Sequence, residues 1–142
     1  SRSETVAGRF AAAADAPPDA AEGDGAISGE ALSRICALEQ PGKSGLLERI
    51  SISFIDKSTA QIGEIRIALG QLDLKAVGDI CHMLRASSAH LGAERLSRLV
   101  TDMEAACLAG DLAAVRRLGG RLSVTHADAV EGLRVAVARR SA

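Results

Sequence analysis

Apolar residues recur in this 142-residue chain at intervals of three and four, in stretch after stretch, and the stretches are divided by short turns rich in glycine and aspartate. That spacing puts one apolar stripe on a helix of 3.6 residues per turn, and a strand's strict alternation is nowhere sustained. From about 44 to 69 the stripe is Leu47, Ile50, Phe54, Ser58, Gln61, Ile65 and Leu69, with Ile52 and Ile67 on the other side, where packing beneath a lid helix is the expectation and contact with a partner the alternative. From about 73 to 91 it is Leu74, Val77, Cys81, Leu84, Ser88 and Leu91, closed by Gly92 as a left-handed cap. Leu96, Leu99, Val100, Met103 and Cys107 mark a helix over about 93–109. Val115, Leu118, Leu122, Ala129, Leu133 and Ala136 mark another over about 112–138, interrupted by Gly119-Gly120. Each of those glycines costs about 1 kcal/mol of helix propensity. Short connections between long amphipathic helices make neighbours antiparallel, so the expected fold is all-α: an up-down four-helix bundle. A short lid helix precedes it, capped by Ser28, running to about Glu39 and ended by Gln40-Pro41-Gly42.

The core must be aliphatic, because Phe10 and Phe54 are the only aromatic residues. Residues 1–27, rich in Ala, Asp, Gly and Pro, read as a linker or flexible lead-in and residues 28–142 as the folded unit; a helix over Thr5–Ala14 docking through Val6 and Phe10 is the alternative. A net charge of −1 offers no nucleic-acid footprint. Cys36, Cys81 and Cys107, odd in number and set among apolar helix positions, fit reduced, packed thiols and a cytoplasmic setting. No apolar run is long enough to span a bilayer, and no signal-peptide pattern opens the chain. The histidines sit on different faces or helices, so no metal site is expected.

The most informative stretch is His82-Met83-Leu84-Arg85-Ala86-Ser87-Ser88-Ala89-His90-Leu91-Gly92-Ala93. At about 100° per residue, His82 lies roughly 140° from the centre of its helix's apolar stripe and should face solvent. Gly78, Ala86 and Ala89, one and two turns away, are small enough to let another protein approach the ring, and Lys75 and Arg85 flank the same face. An imidazole with a pKa near 6.5 is mostly neutral at pH 7 and has a free ring nitrogen as nucleophile. Arg85, one turn on, sets a positive charge beside that ring. His126, at the edge of the last apolar stripe, reads as a packed boundary histidine.

The His82–Ala93 stretch resembles the phosphorylation-site helix of histidine-containing phosphotransfer (HPt) domains, a form of which is His-x-Leu-Lys-Gly-Ser-Ser-Ala-x-Leu-Gly-Ala. Leu99-Val100-Thr101-Asp102-Met103-Glu104 is similar to the family's Leu-Cys-x-x-Leu-Glu, and the likeness extends over about residues 28–138. The resemblance implies that His82 accepts a phosphoryl group and that Arg85, in place of the usual Lys, neutralises phosphate charge. Ala86 stands for the usual Gly, Ser87, Ser88 and Ala89 match, and His90 replaces a frequent Asn and reads as a surface residue. Glu104 falls where members place a Gln or Glu near the ring; it either orients the imidazole or is a solvated edge carboxylate. Lys75, Gly78, Ala86, Ser87 and Ala89 form the expected receiver-docking face.

The resemblance further implies a phosphorelay intermediate that takes phosphate from a receiver-domain aspartate and passes it to another receiver. Such a domain needs no cofactor of its own, the Mg2+ belonging to the receiver, and is not an enzyme on its own. The wording of the motif is closer to domains at the end of hybrid sensor histidine kinases than to the phosphotransfer domain of chemotaxis-type kinases. The absence of an initiator Met suggests an excised piece, compatible with the cytoplasmic part of an inner-membrane sensor kinase. A bundle that docks a receiver or other partner without carrying phosphate is the rival.

Overall fold

The computed structural model describes residues 26–39 and 45–141, and within them every regular element is a helix. Residues 1–25 and the Gln40-Pro41-Gly42 terminator, with the proposed docking of Val6 and Phe10, lie outside the described residues. The helices are α1 (Gly29–Cys36), α2 (Leu46–Gly70), α3 (Leu74–His90), α4 (Glu94–Ala109), α5 (Leu112–Gly119) and α6 (Leu122–Ser141). The four long rods α2, α3, α4 and α6 form the bundle; α3 and α4 pack most extensively, α2 meets α3 and α6, and α4 meets α6.

Each start has a local cause. Ser28 accepts from the Ala31 amide at 3.3 Å, Asp73 from Ala76 at 3.1 Å and Asp111 from Ala114 at 3.1 Å, satisfying amides that have no partner within the helix. Gly45 has no side chain to cap α2, and the Glu39 carboxylate takes that role, accepting from the Leu46 amide at 3.0 Å while its other oxygen meets Arg140. Partial burial opposes ionisation of Glu39, but that amide and the Arg140 guanidinium hold its carboxyl below the ordinary range. α1 stops at Cys36, short of the expected Glu39, and the chain leaves it in tight turns, the Leu38 amide donating to the Ile35 carbonyl at 3.0 Å and the Glu39 amide to the Cys36 carbonyl at 3.1 Å.

The buried face of each rod follows its stripe. Ile65, Val77, Cys81, Leu84, Val100, Met103, Val115, Leu122 and Leu133 are fully enclosed. Ser51, Ile62 and Ala68 are buried on α2, whereas Ile50 and Leu69 are half-buried at the core's edge. The expectation for Ile52 and Ile67 is corrected: both are exposed. The lid lies across the end of the bundle, where the Ser28 amide donates to the Gly92 carbonyl at 2.7 Å and Ile27, Ala31 and Ile35 are buried, so α2's outer face stays uncovered. Ile27, on the linker side of the expected boundary, is therefore a core residue. The helix expected over 112–138 is two helices, broken at Gly120 and Arg121.

His126 is buried, with its Nε2 2.8 Å from Ser58 Oγ across the α2–α6 contact. Burial holds its imidazole below the ordinary histidine value.

Candidate functional site

His82 projects from the outer face of α3, with its side chain 57 % exposed. The turn at Leu91-Gly92-Ala93 reverses the chain so that α4 runs back along α3. Gly92 adopts φ +79, and the Ala93 amide donates to the Ser88 carbonyl at 2.8 Å. That reversal brings Glu104 beside His82: Nδ1 and Oε2 are 2.8 Å apart, and the carboxylate is only 20 % exposed. The other carboxylate oxygen, Oε1, lies 3.9 Å from Arg85 Nη1. Histidine, carboxylate and guanidinium thus form one chain of contacts across the α3–α4 interface.

The chemistry follows from donor inventory. A carboxylate offers only lone pairs, so the ring nitrogen facing Glu104 must carry the proton. In the neutral ring this leaves the lone pair on Nε2. The buried Cys81, next to His82 in sequence, lies on α3's core side. Burial, with Cys107 and Glu104 adding to it, pushes its thiol up to about 12. Cys107 is raised by burial and by Glu104, so both thiols stay protonated near neutral pH.

The other positions singled out from the sequence separate into groups. Ala86, Ser87, Ala89 and His90 are exposed on α3, and Ser87 Oγ donates to its own helix at the Leu84 carbonyl, 3.2 Å away. Ser88 is fully buried, without a hydrogen-bond partner among the described residues. Lys75 is exposed and pairs with Asp79 at 3.1 Å, one turn along the same helix. Gly78 is half-buried against α4, where a Cβ would sit 3.3 Å from Cys107 Cβ. Its small size therefore already serves helix packing, unlike the expected role on an open docking face.

Two features were not singled out from the sequence. Met83, beside His82, is 57 % exposed, an apolar side chain open to solvent next to the ring. Ser97 Oγ donates to the Arg85 carbonyl at 3.2 Å, tying α4 to α3 near the site. Counting equal distances out from the Gly92 turn places Ser97 toward the near end of α3 and the Asp102–Glu104 stretch opposite His82, a signal the sequence does contain.

An all-helical bundle that displays an acid-bound histidine on an outer helix face is the class of protein these features define. Residues 49–134 match the sequence profile of the Hpt domain, and the chain belongs to that family, whose members transfer phosphoryl groups through histidine in phosphorelays. No curated protein sequence matches the chain. None of the described helices is long and apolar enough to cross a membrane.

Proposed function

We propose that His82 is the phosphoryl acceptor of a phosphorelay, loaded from a receiver-domain aspartyl phosphate and discharged to the aspartate of another receiver. The observation that carries this reading is the 2.8 Å contact between His82 Nδ1 and Glu104, which leaves Nε2 as the nucleophile on a half-exposed ring. The Nε2 lone pair attacks phosphorus, an N–P bond forms, and the P–O bond to the aspartate breaks as its carboxylate departs. The ring becomes cationic because Nδ1 keeps its proton, and Glu104 stabilises that charge as it develops. Arg85 offsets the charge of the phosphoryl oxygens. Mg2+ is supplied by the receiver, and this chain contributes nucleophile, orientation and docking surface.

The docking face consists of Met83, Ala86, Ser87 and Ala89 around His82, all exposed. The parent we propose is a hybrid sensor histidine kinase with this domain on its cytoplasmic side. Incubation with a phosphorylated receiver tests the assignment. Acid-labile label should pass to the wild-type chain and not to His82→Gln. Equal labelling of both would defeat it, and receiver binding with no labelling of either would favour a docking bundle instead.

A further inference from the structure

The contact between His82 and Glu104 is bracketed along the α3–α4 interface. In the antiparallel register the residue pairs run Gly78 with Cys107, His82 with Glu104, and Arg85 with Ser97. On one side a Cβ at Gly78 would approach Cys107 Cβ to 3.3 Å, tighter than ordinary van der Waals contact, so the helices meet there at a distance only glycine permits without a shift of a few tenths of an ångström. On the other side Ser97 Oγ donates to the Arg85 carbonyl at 3.2 Å. The Ser97 carbonyl in turn accepts from Thr101 Oγ1 at 2.7 Å, which ties that residue to the next turn of α4. Between them Nδ1 and Oε2 stand at 2.8 Å, a distance at which a small increase in helix separation stretches the bond directly.

We infer that Gly78 and Ser97 are positioning residues: they set the separation of α3 and α4 at which Glu104 holds the Nδ1 proton and Nε2 stays open. The consequence for transfer rests on the reading of His82 as acceptor. The positioning itself is measured without phosphate, through the tautomer of the His82 ring. Gly78→Ala is a sharp probe because alanine is the better helix former, so helix propensity favours the variant while the added methyl pushes α4 away.

The test records side-chain nitrogen resonances of His82 in the full chain at a pH where the ring is neutral. Wild type should show the Nδ1–H tautomer. Gly78→Ala and Ser97→Ala should both move population toward Nε2–H, the form free histidine prefers in water. Ser97→Thr, which keeps the hydroxyl, and the paired change Gly78→Ala with Cys107→Gly, which removes the opposing Cβ, should restore the wild-type pattern. Initial transfer from a phosphorylated receiver should fall about tenfold in the two disrupting variants, since small misplacements of a reacting group are costly. Wild-type tautomer populations in both Gly78→Ala and Ser97→Ala would overturn the inference. A tautomer shift in a protein whose wild type takes no phosphate would support the positioning and overturn the acceptor assignment alone.

Discussion

Replacing Gly92 with alanine should loosen the lid. Gly92 has φ +79, a conformation that costs a residue bearing a Cβ about 1 kcal/mol. The new Cβ would also lie 2.9 Å from Ala31 Cβ and from the backbone nitrogen and oxygen of Ser28, and none of those atoms can rotate away. Relief requires α1 to lift, which breaks the 2.7 Å bond from the Ser28 amide to the Gly92 carbonyl and uncovers part of Ile27 and Ile35. The lost hydrogen bond is worth about 1 kcal/mol and partial exposure of one large aliphatic side chain about 1–2 kcal/mol, giving a total of roughly 3–4 kcal/mol. Gly110→Ala is the control: Gly110 has φ +70 and a Cβ there would meet no atom within 4 Å, so only the conformational cost of about 1 kcal/mol applies. Urea denaturation followed by circular dichroism measures both. Equal losses in the two variants would refute the claim that Gly92 is required by the lid.

Arg85→Ala should slow receiver-to-His82 transfer or shorten phosphohistidine lifetime. Stability should change by no more than about 1 kcal/mol, because the 3.9 Å pair with Glu104 is solvent-screened and the Arg85 side chain is 43 % exposed. Unchanged transfer kinetics would remove its proposed role. Ser88→Ala should stabilise the fold by about 1 kcal/mol, since it deletes a fully buried hydroxyl with no partner among the described residues; a loss of stability in urea titration would show a bond there. For His126, the folded value is depressed, so as pH falls through about 6.5 the unfolded chain takes up the proton first and stability drops. Denaturation midpoints should therefore fall between about pH 7.5 and about pH 5.5, and the slope should be shallower in His126→Gln; identical slopes would show that His126 does not supply it.

The helices and their inward faces are legible because a 3.6-residue period leaves a direct trace in where Leu, Val and Ile fall. Val77, Cys81, Leu84 and Ser88 are buried on the stripe expected for α3. The outward environment of Ile52 and Ile67 is not legible, since periodicity gives a direction on one helix and says nothing about what covers it. The capping role of Glu39 is hidden for a related reason: the amide it accepts from lies seven residues on, at the start of the next helix. Gly78 looks like open surface in the sequence because its neighbour Cys107 belongs to another helix. The solvent-facing position of His82 needs only helical geometry, whereas its distance to Glu104 depends on the register of the α3–α4 hairpin, which hydrophobic spacing alone leaves undefined.

The proposed transfer depends on a ring with Nδ1 held by Glu104 and Nε2 presented to the partner. Phosphorylation of the full chain by a phosphorylated receiver, followed by nuclear magnetic resonance correlating phosphorus with the ring nitrogens, tests that arrangement directly. The expected product is a single phosphohistidine at His82, with the phosphoryl group on Nε2. Phosphate on Nδ1, or on any other residue while His82 remains free, would contradict it.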